Sequence, residues 1–159
     1  MNDHPINLTR GDLCLSTDRS RVDLDGVLSM LRGSHWGGAM TRRQLERAIE
    51  NSITVGVYNS GGVQLAFARA VSDLATYAYL TDVIVAEEAR GLGIGGWMIE
   101  ALVAHADLQG LRRFALFTRN ARGLYEKYGF STDAPTRSVY MELRAGRGDV
   151  APVAPGVLL

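Results

Sequence analysis

The stretch VAEEARGLGIGGWMIE, residues 85–100, contains the glycine-rich turn on which the prediction of the fold depends. Strand-like residues precede this turn, four of its six residues (91–96) are glycine, and a helix-like segment follows. The first turn of a helix leaves backbone N–H groups without intrahelical partners and carries the positive end of the helix dipole. Glycines ahead of a helix let the backbone curl and approach a ligand closely. The stretch therefore predicts an anion site suited to a phosphate or pyrophosphate.

Two common phosphate-binding loops fit this turn poorly. A nucleoside-triphosphate loop needs Lys and Ser or Thr after its last glycine, whereas here Gly96 is followed by Trp97. A dinucleotide fingerprint, G-x-G-x-x-G, does match Gly91, Gly93 and Gly96. That fingerprint expects an acidic residue about 20 positions further on, and residues 111–120 read LRRFALFTRN. An NAD(P)-binding protein therefore stays an alternative that rests on spacing alone.

The composition indicates one globular domain without an obvious charged partner. The chain has 159 residues, 47% of them apolar, and 17 basic residues balance 17 acidic ones. This balance predicts neither a nucleic-acid partner nor an anionic membrane surface. Cys14 is the single cysteine, which excludes an internal disulfide and a cysteine-based zinc cluster. No apolar run approaches the roughly 18 residues of a membrane span, and a cytoplasmic location is expected because the N-terminal residues lack the pattern of a signal peptide.

Hydrophobic periodicity predicts an alternation of strands and helices along the chain. Ser-Gly-Gly between two strand-like runs indicates an antiparallel hairpin, and one strand–helix–strand crossover predicts a mixed sheet with helices on its faces. The predicted strands are 13–17, 53–59, 63–71, 76–85, 113–118 and 137–143, and the predicted helices are 22–31, 41–52 capped by Thr41, 93–106, and a short one capped by Asn120 and stopped at Gly129. The fold class is therefore α/β or α+β.

Two motifs together resemble the GNAT superfamily of N-acetyltransferases. Arg90-x-x-Gly93-x-Gly95 directly after the strand residues DVIV is similar to motif A of that family. RNARGLYEKYGF, residues 119–130, is similar to a later family segment in which Leu-Tyr-Glu-Lys precedes Gly-Phe. The resemblance covers residues 34–143. It implies a mixed, mostly antiparallel sheet that is splayed at its centre and has helices on both faces.

The resemblance also implies how acetyl-CoA is bound. Backbone N–H groups of the glycine turn hold the pyrophosphate, and Arg90 adds positive charge. Val83 and Val85 lie on the preceding strand, which in the family separates from its neighbour so that the pantetheine arm fits between them. One N–H of this strand polarises the thioester carbonyl, and Asn120 caps its helix, contacts the pantetheine arm, or does both. The turn residues assigned to the cofactor are Gly91, Leu92, Gly93, Ile94, Gly95 and Gly96.

Tyr125 occupies the tyrosine position of LYEKYGF, and by resemblance it is the general acid that protonates the departing CoA thiolate. A thiol pKa of about 8.5 and a phenol pKa of about 10 are close enough for proton sharing. The acceptor amine must also lose a proton, and Asp82 is the candidate general base, unless it is a structural residue near a strand bulge. Asp73 and His35 are weaker alternatives. His35 and Trp36 are also candidates for lining an acceptor pocket.

The function implied by the resemblance is acetyl transfer from acetyl-CoA, as co-substrate, to a primary amine by direct attack in a ternary complex. The expected acceptor is a small-molecule or peptide amine, with no metal, no nucleic acid and no membrane involved, and a homodimer stays open. A regulatory module that binds CoA without catalysis is the main alternative. Residues 1–143 are predicted to form a single acyl-CoA N-acyltransferase domain, followed by a tail, 144–159, that is either mobile or docked.

Overall fold

A computed structural model of the chain describes residues 5–34 and 40–132. Within these ranges six strands form one sheet, and they are arranged side by side in the order of the sequence. Neighbouring strands are antiparallel except for the last two, which are parallel. The strands are β1 (Asn7–Arg10), β2 (Leu13–Ser16), β3 (Ile53–Tyr58), β4 (Gln64–Ser72), β5 (Tyr77–Val85) and β6 (Arg113–Leu116).

Helices of the described ranges cover both faces of the sheet. They are α1 (Leu24–Arg32), α2 (Arg42–Glu50), α3 (Ile94–Val103) and α4 (Arg122–Glu126), with short 3-10 turns at Arg19–Arg21, Glu87–Ala89 and Ala106–Leu108. The predicted fold class, a mixed and mostly antiparallel sheet with helices on both faces, is confirmed. Sequence analysis missed β1, whose four residues are all exposed and show no apolar alternation.

Side chains alternate between the two faces of each strand, which divides the core into two layers. On the face that we call the α3 face, Val55, Ala68 and Leu80 belong to a buried cluster with Met98 and Leu102 of α3. On the opposite face, the α1–α2 face, Phe67 and Ile84 pack with Leu28, Leu31 and Leu45. All six residues of β3 are buried because helices cover this central strand from both sides.

The helix caps follow the sequence prediction at one helix and depart from it at another. Thr41 caps α2 in a capping box with Gln44, as the sequence predicts. The predicted Asn120 cap of α4 is wrong, because the helix begins after Ala121. The N–H of Ala121 instead donates to the Thr118 hydroxyl at 3.1 Å. This helix ends at Glu126, and Gly129 then adopts a left-handed conformation with φ of +88°.

The sheet opens between β5 and β6, as the sequence predicts. Their parallel pairing runs from Tyr77 opposite Arg113 to Leu80 opposite Leu116 and goes no further. Beyond Leu80, β5 continues along β4 on its other side to Val85. In the described part of the chain, residues 81–85 therefore have a strand partner on one side only.

A β-bulge lies where the sheet opens. The pairing of β4 with β5 passes from Phe67 opposite Ile84 to Arg69 opposite Thr81, so that two residues of β5 stand opposite one of β4. Asp82 lies in this bulge with φ of +54°. The bulge places Thr81 and Asp82 on the same side of the sheet, the α1–α2 face, because the alternation of side chains restarts after it.

Several sequence predictions fall outside the described residues. They are the strand 137–143, the tail 144–159 with its boundary, and the pocket residues His35 and Trp36. Among residues 5–34 and 40–132, no helix is both long and apolar enough to cross a bilayer.

Candidate active site

The glycine turn carries two left-handed residues directly before α3. Gly91 has φ of +81° and Gly93, the N-cap of α3, has φ of +74°. A β-carbon built at either position has open space around it. The requirement for glycine is therefore conformational, since L side chains are strained at such φ values. A glycine N-cap has no side chain with which to satisfy the first N–H groups of its helix.

The first turn of α3 presents backbone N–H groups at the surface of the site. The N–H of Trp97 is the first to bond within the helix, donating to the Gly93 carbonyl at 3.1 Å. The N–H groups of Ile94, Gly95 and Gly96 precede it and have no intrahelical acceptor. Arg90 is exposed, and its Nε donates to the carbonyl of Val85 at 3.3 Å. The positive end of the α3 dipole and a guanidinium therefore lie close together, an arrangement that attracts an anion.

Gly96 has a second reason to be glycine. A β-carbon at this position would lie 2.6 Å from the hydroxyl of Tyr128. Leu124 approaches the same position and the neighbouring Gly95 at ordinary van der Waals distances. The two glycines therefore let α4 pack against the first turn of α3, and this contact brings Tyr125 to the same side of the sheet as the glycine turn.

The free edge of β5 faces the opening in the sheet. The N–H of Ala86 donates to the carbonyl of Leu65 at 2.8 Å, which is toward β4. Backbone groups of successive strand residues point to opposite sides, so those of Ile84 also point toward β4, whereas those of Val83 and Val85 point into the opening. A ligand lying there can pair with them as an added strand would.

Asp82 is held by a buried ion pair that the sequence analysis did not anticipate. Arg69 Nε donates to Asp82 Oδ2 at 2.5 Å, and the Thr81 hydroxyl donates to Oδ1 at 3.3 Å. The second contact of Arg69 is Nη1 donating to the Ser52 hydroxyl at 3.2 Å. Both partners of the ion pair are largely buried. The arginine within the otherwise apolar run LAFARAV is the signal in the sequence that could have revealed it.

Tyr125 is the buried titratable residue of α4. Its ring belongs to the α3-face cluster and makes an edge contact with Phe130 at 6.0 Å between ring centroids. Burial raises the pKa of Tyr125. The phenol is therefore protonated at neutral pH and can donate a hydrogen bond.

This arrangement of turn, opened strand and α4 agrees with what comparison with known proteins finds. A family model described as "Acetyltransferase (GNAT) domain" matches residues 50–132. The chain belongs to the GNAT acetyltransferase family. The match spans β3 to α4 and thus includes the glycine turn, the bulge and Tyr125.

Individual GNAT relatives support the assignment. A candidate acetyltransferase of Gibberella zeae is 32% identical over 145 residues, covering 77% of this chain and 81% of that protein. The crystal structure of a candidate GNAT acetyltransferase from Xanthomonas campestris pv. campestris is similar with a TM-score of 0.78 and 39% identity, covering 87% of this chain and 97% of that one. Serotonin N-acetyltransferase 2, chloroplastic, of Oryza sativa subsp. japonica is 37% identical over 100 residues, which cover 58% of this chain and 50% of that protein.

In this GNAT domain the structure brings together most of the predicted donor-site residues. The glycine turn, Arg90, the backbone of Val83 and Val85, and the helix of Tyr125 adjoin one another around the opening. Asn120 is exposed just before α4. In the described ranges, His, Cys, Asp and Glu side chains form no group of three or more that could bind a metal ion.

Asp73, a weaker candidate for the general base, lies at the other end of β5. Its Oδ1 accepts hydrogen bonds from the N–H groups of Ala75, Thr76 and Tyr77, which hold the pKa of Asp73 far below its usual value together with the Thr76 hydroxyl. From Tyr77 to the bulge the strand extends roughly 15 to 20 Å at about 3.3 Å per residue. Asp73 stabilises a turn and is too distant to take a proton at the bulge.

Proposed function

We propose that this GNAT protein transfers the acetyl group of acetyl-CoA to a primary amine by direct attack in a ternary complex. The observation that carries the proposal is the left-handed glycine turn before α3, which adjoins the free edge of β5. These two features offer N–H donors for a pyrophosphate and an extended edge for a pantetheine arm. The rice relative is named for the acetylation of an amine, serotonin.

Backbone groups carry most of the proposed donor binding. The N–H groups of the turn residues Gly91 to Gly96 bind the pyrophosphate, and Arg90 adds a positive charge that its hydrogen bond to Val85 keeps near the turn. Val83 and Val85 pair with the pantetheine amides, and Asn120 contacts the arm from the start of α4. Acetyl-CoA supplies the activated acyl group as a thioester.

The chemical step requires a nucleophile, an oxyanion donor and an acid. The amine nitrogen attacks the thioester carbon, the C–S bond breaks, and the Tyr125 hydroxyl donates its proton to the departing sulfur. The N–H of Val83, at the bulge, donates to the carbonyl oxygen as negative charge develops on it. Burial of Tyr125 supports the role of an acid because it keeps the phenol protonated.

Removal of the amine's proton leaves two roles open for Asp82. As the general base, Asp82 accepts the proton directly or through water. As an anchor, its carboxylate holds Arg69 and fixes the bulge while solvent takes the proton. The ion pair favours the second role, because one carboxylate oxygen is already committed to Arg69 at 2.5 Å.

The remaining parts of the proposal concern partners and alternatives. The acceptor is a small-molecule or peptide amine in the cytoplasm, neither nucleic acid nor membrane takes part, and a homodimer is compatible with the fold. A regulatory CoA-binding module lacks catalysis, and an NAD(P)-binding protein would use the G-x-G-x-x-G spacing differently. Calorimetry with acetyl-CoA and with NADH, followed by an assay of thiol release with a panel of amines, separates these three functions.

The Tyr125→Phe variant tests the proposed mechanism. We expect turnover to fall by about 100-fold or more, as for loss of a general acid, while the calorimetric affinity for acetyl-CoA is unchanged. Tyr58→Phe is the matched control, because Tyr58 is also a buried tyrosine but lies at the end of β3 and its hydroxyl has no hydrogen-bond partner among the described residues. Full turnover in Tyr125→Phe would remove this residue from the mechanism.

A further inference from the structure

The two faces of the sheet offer different access to the proposed reaction centre. On the α3 face, the space beside the opening is filled by α3, α4 and their buried cluster. On the α1–α2 face, the helices pack over Phe67 and Ile84, beyond the bulge. An acceptor amine therefore reaches the bulge along the α1–α2 face, from the part of it that precedes Thr81. This step rests on the proposed function.

Apolar and aromatic side chains occupy that part of the α1–α2 face. We call Val71, Tyr77, Tyr79 and Phe117 the aromatic patch. Val71 stands opposite Tyr79 in the β4–β5 register, and the rings of Tyr79 and Phe117 lie 5.9 Å apart between centroids. Phe117 is 61% exposed, Tyr77 43% and Val71 40%. Three apolar side chains with such exposure, on three adjacent segments of the sheet, form a continuous surface that can bind a ligand.

The aromatic patch begins close to the bulge. Tyr79 precedes Thr81 by two residues, a distance of about 7 Å along the strand. Tyr77 and Tyr79 alternate with Ala78 and Leu80, which face α3, so the two tyrosines lie on the same face as the bulge residues. A ring resting on the patch is thus separated from the proposed thioester by about the length of a short aliphatic chain.

Charges around the aromatic patch disfavour a polycationic ligand. The Arg69–Asp82 pair next to it carries no net charge. Arg113, in register with Tyr77 at the edge of the patch, is exposed and adds a positive charge. The carboxylate of Asp73 is occupied by its own turn. A polyamine would find no cluster of carboxylates among the described residues here, whereas a flat apolar group would find aromatic rings.

We infer that the acceptor is an amine joined by a short aliphatic chain to an aromatic ring, and that the aromatic patch binds this ring. The ring packs on Tyr79 and Phe117, and its chain carries the amine nitrogen past Thr81 to the bulge. The patch thereby selects arylalkylamines over aliphatic amines and polyamines, since burial of a ring against aromatic side chains contributes more than burial of a few methylenes.

The test compares 2-phenylethylamine with propylamine and spermidine in the thiol-release assay. We expect kcat/KM for 2-phenylethylamine to exceed that for propylamine by about tenfold or more. In Phe117→Ala, the KM for 2-phenylethylamine rises by about tenfold, while the KM values for propylamine and acetyl-CoA stay the same. Val63→Ala is the control, because Val63 is a 58% exposed apolar residue in the β3–β4 turn.

Other outcomes overturn the inference in distinguishable ways. If no amine releases thiol although acetyl-CoA binds, the proposed function fails and the inference fails with it. If propylamine or spermidine is the better substrate, or Phe117→Ala leaves the KM for 2-phenylethylamine unchanged, the inference alone is overturned. Sedimentation of wild type and Phe117→Ala completes the test, because dissociation of a dimer in the variant would assign the patch to a second copy of this chain.

Discussion

Asp82 combines a left-handed backbone with a buried ion pair. A residue other than glycine at φ of +54° is strained, and such strain persists only where the surroundings hold it. Arg69 provides this support, since it bonds Asp82 from the adjacent strand and is itself bonded to Ser52 at the end of α2. The conformation of the bulge, and with it the direction of the Val83 N–H, therefore depends on an arginine thirteen residues away.

Asp82→Asn tests this dependence. Loss of one charge leaves the buried Arg69 guanidinium uncompensated, and we expect a destabilisation of about 3 kcal/mol in urea unfolding. The double variant Arg69→Met/Asp82→Asn removes both charges, and asparagine tolerates a left-handed backbone. We expect it to recover most of the stability. A double variant that is stable but inactive toward every amine would instead support Asp82 as the general base.

At the level of elements, the start of α3 is the feature most open to experiment. Gly93→Ala places a side chain at φ of +74°, which costs about 1–2 kcal/mol or shifts the turn. We expect a lower melting temperature and an acetyl-CoA affinity weakened by about tenfold, because the N–H donors lose their alignment. Gly110→Ala is the matched control, since Gly110 has φ of +73° and open space but lies outside the site. Equal affinity losses in both variants would contradict the assignment of the turn.

The end of α3 predicts a pH dependence of stability. α3 ends at Val103, earlier than its apolar periodicity predicts, because His105 starts a new turn by accepting a bond from the Asp107 N–H at its Nδ1. Burial lowers the pKa of His105, only partly offset by the nearby Asp107 carboxylate. The unfolded chain then binds the proton more readily.

Stability is therefore complete above a pH of about 6.5, the pKa of an unfolded histidine, and decreases as the pH falls below it. Melting temperatures measured from pH 7.5 to pH 5 should show this decrease. His105→Asn keeps a hydrogen-bond acceptor but cannot titrate, so its melting temperature should fall less over the same range. An identical decrease in the variant would assign the effect to other groups.

For the whole molecule, local patterns were sufficient to predict the elements but not the contacts that shape the site. The order from strand 13–17 to the helix of Tyr125 follows from periodicity and turn residues. The opened sheet followed from the resemblance rather than from any local pattern. The Arg69–Asp82 pair, the packing of Tyr128 over Gly96 and the exposed β1 join or involve residues that are unremarkable in isolation. Such contacts depend on register between strands, which a single sequence does not encode locally.

The parting of β5 from β6 after Leu80 and Leu116 gives the molecule a passage through its own sheet. On the proposed function, the two reactants enter this passage from opposite sides and meet within the thickness of one layer. A compound that joins CoA to an arylalkylamine through a short acyl bridge would occupy both entrances at once. Since binding of its second half would be intramolecular, its affinity would exceed that of either half alone.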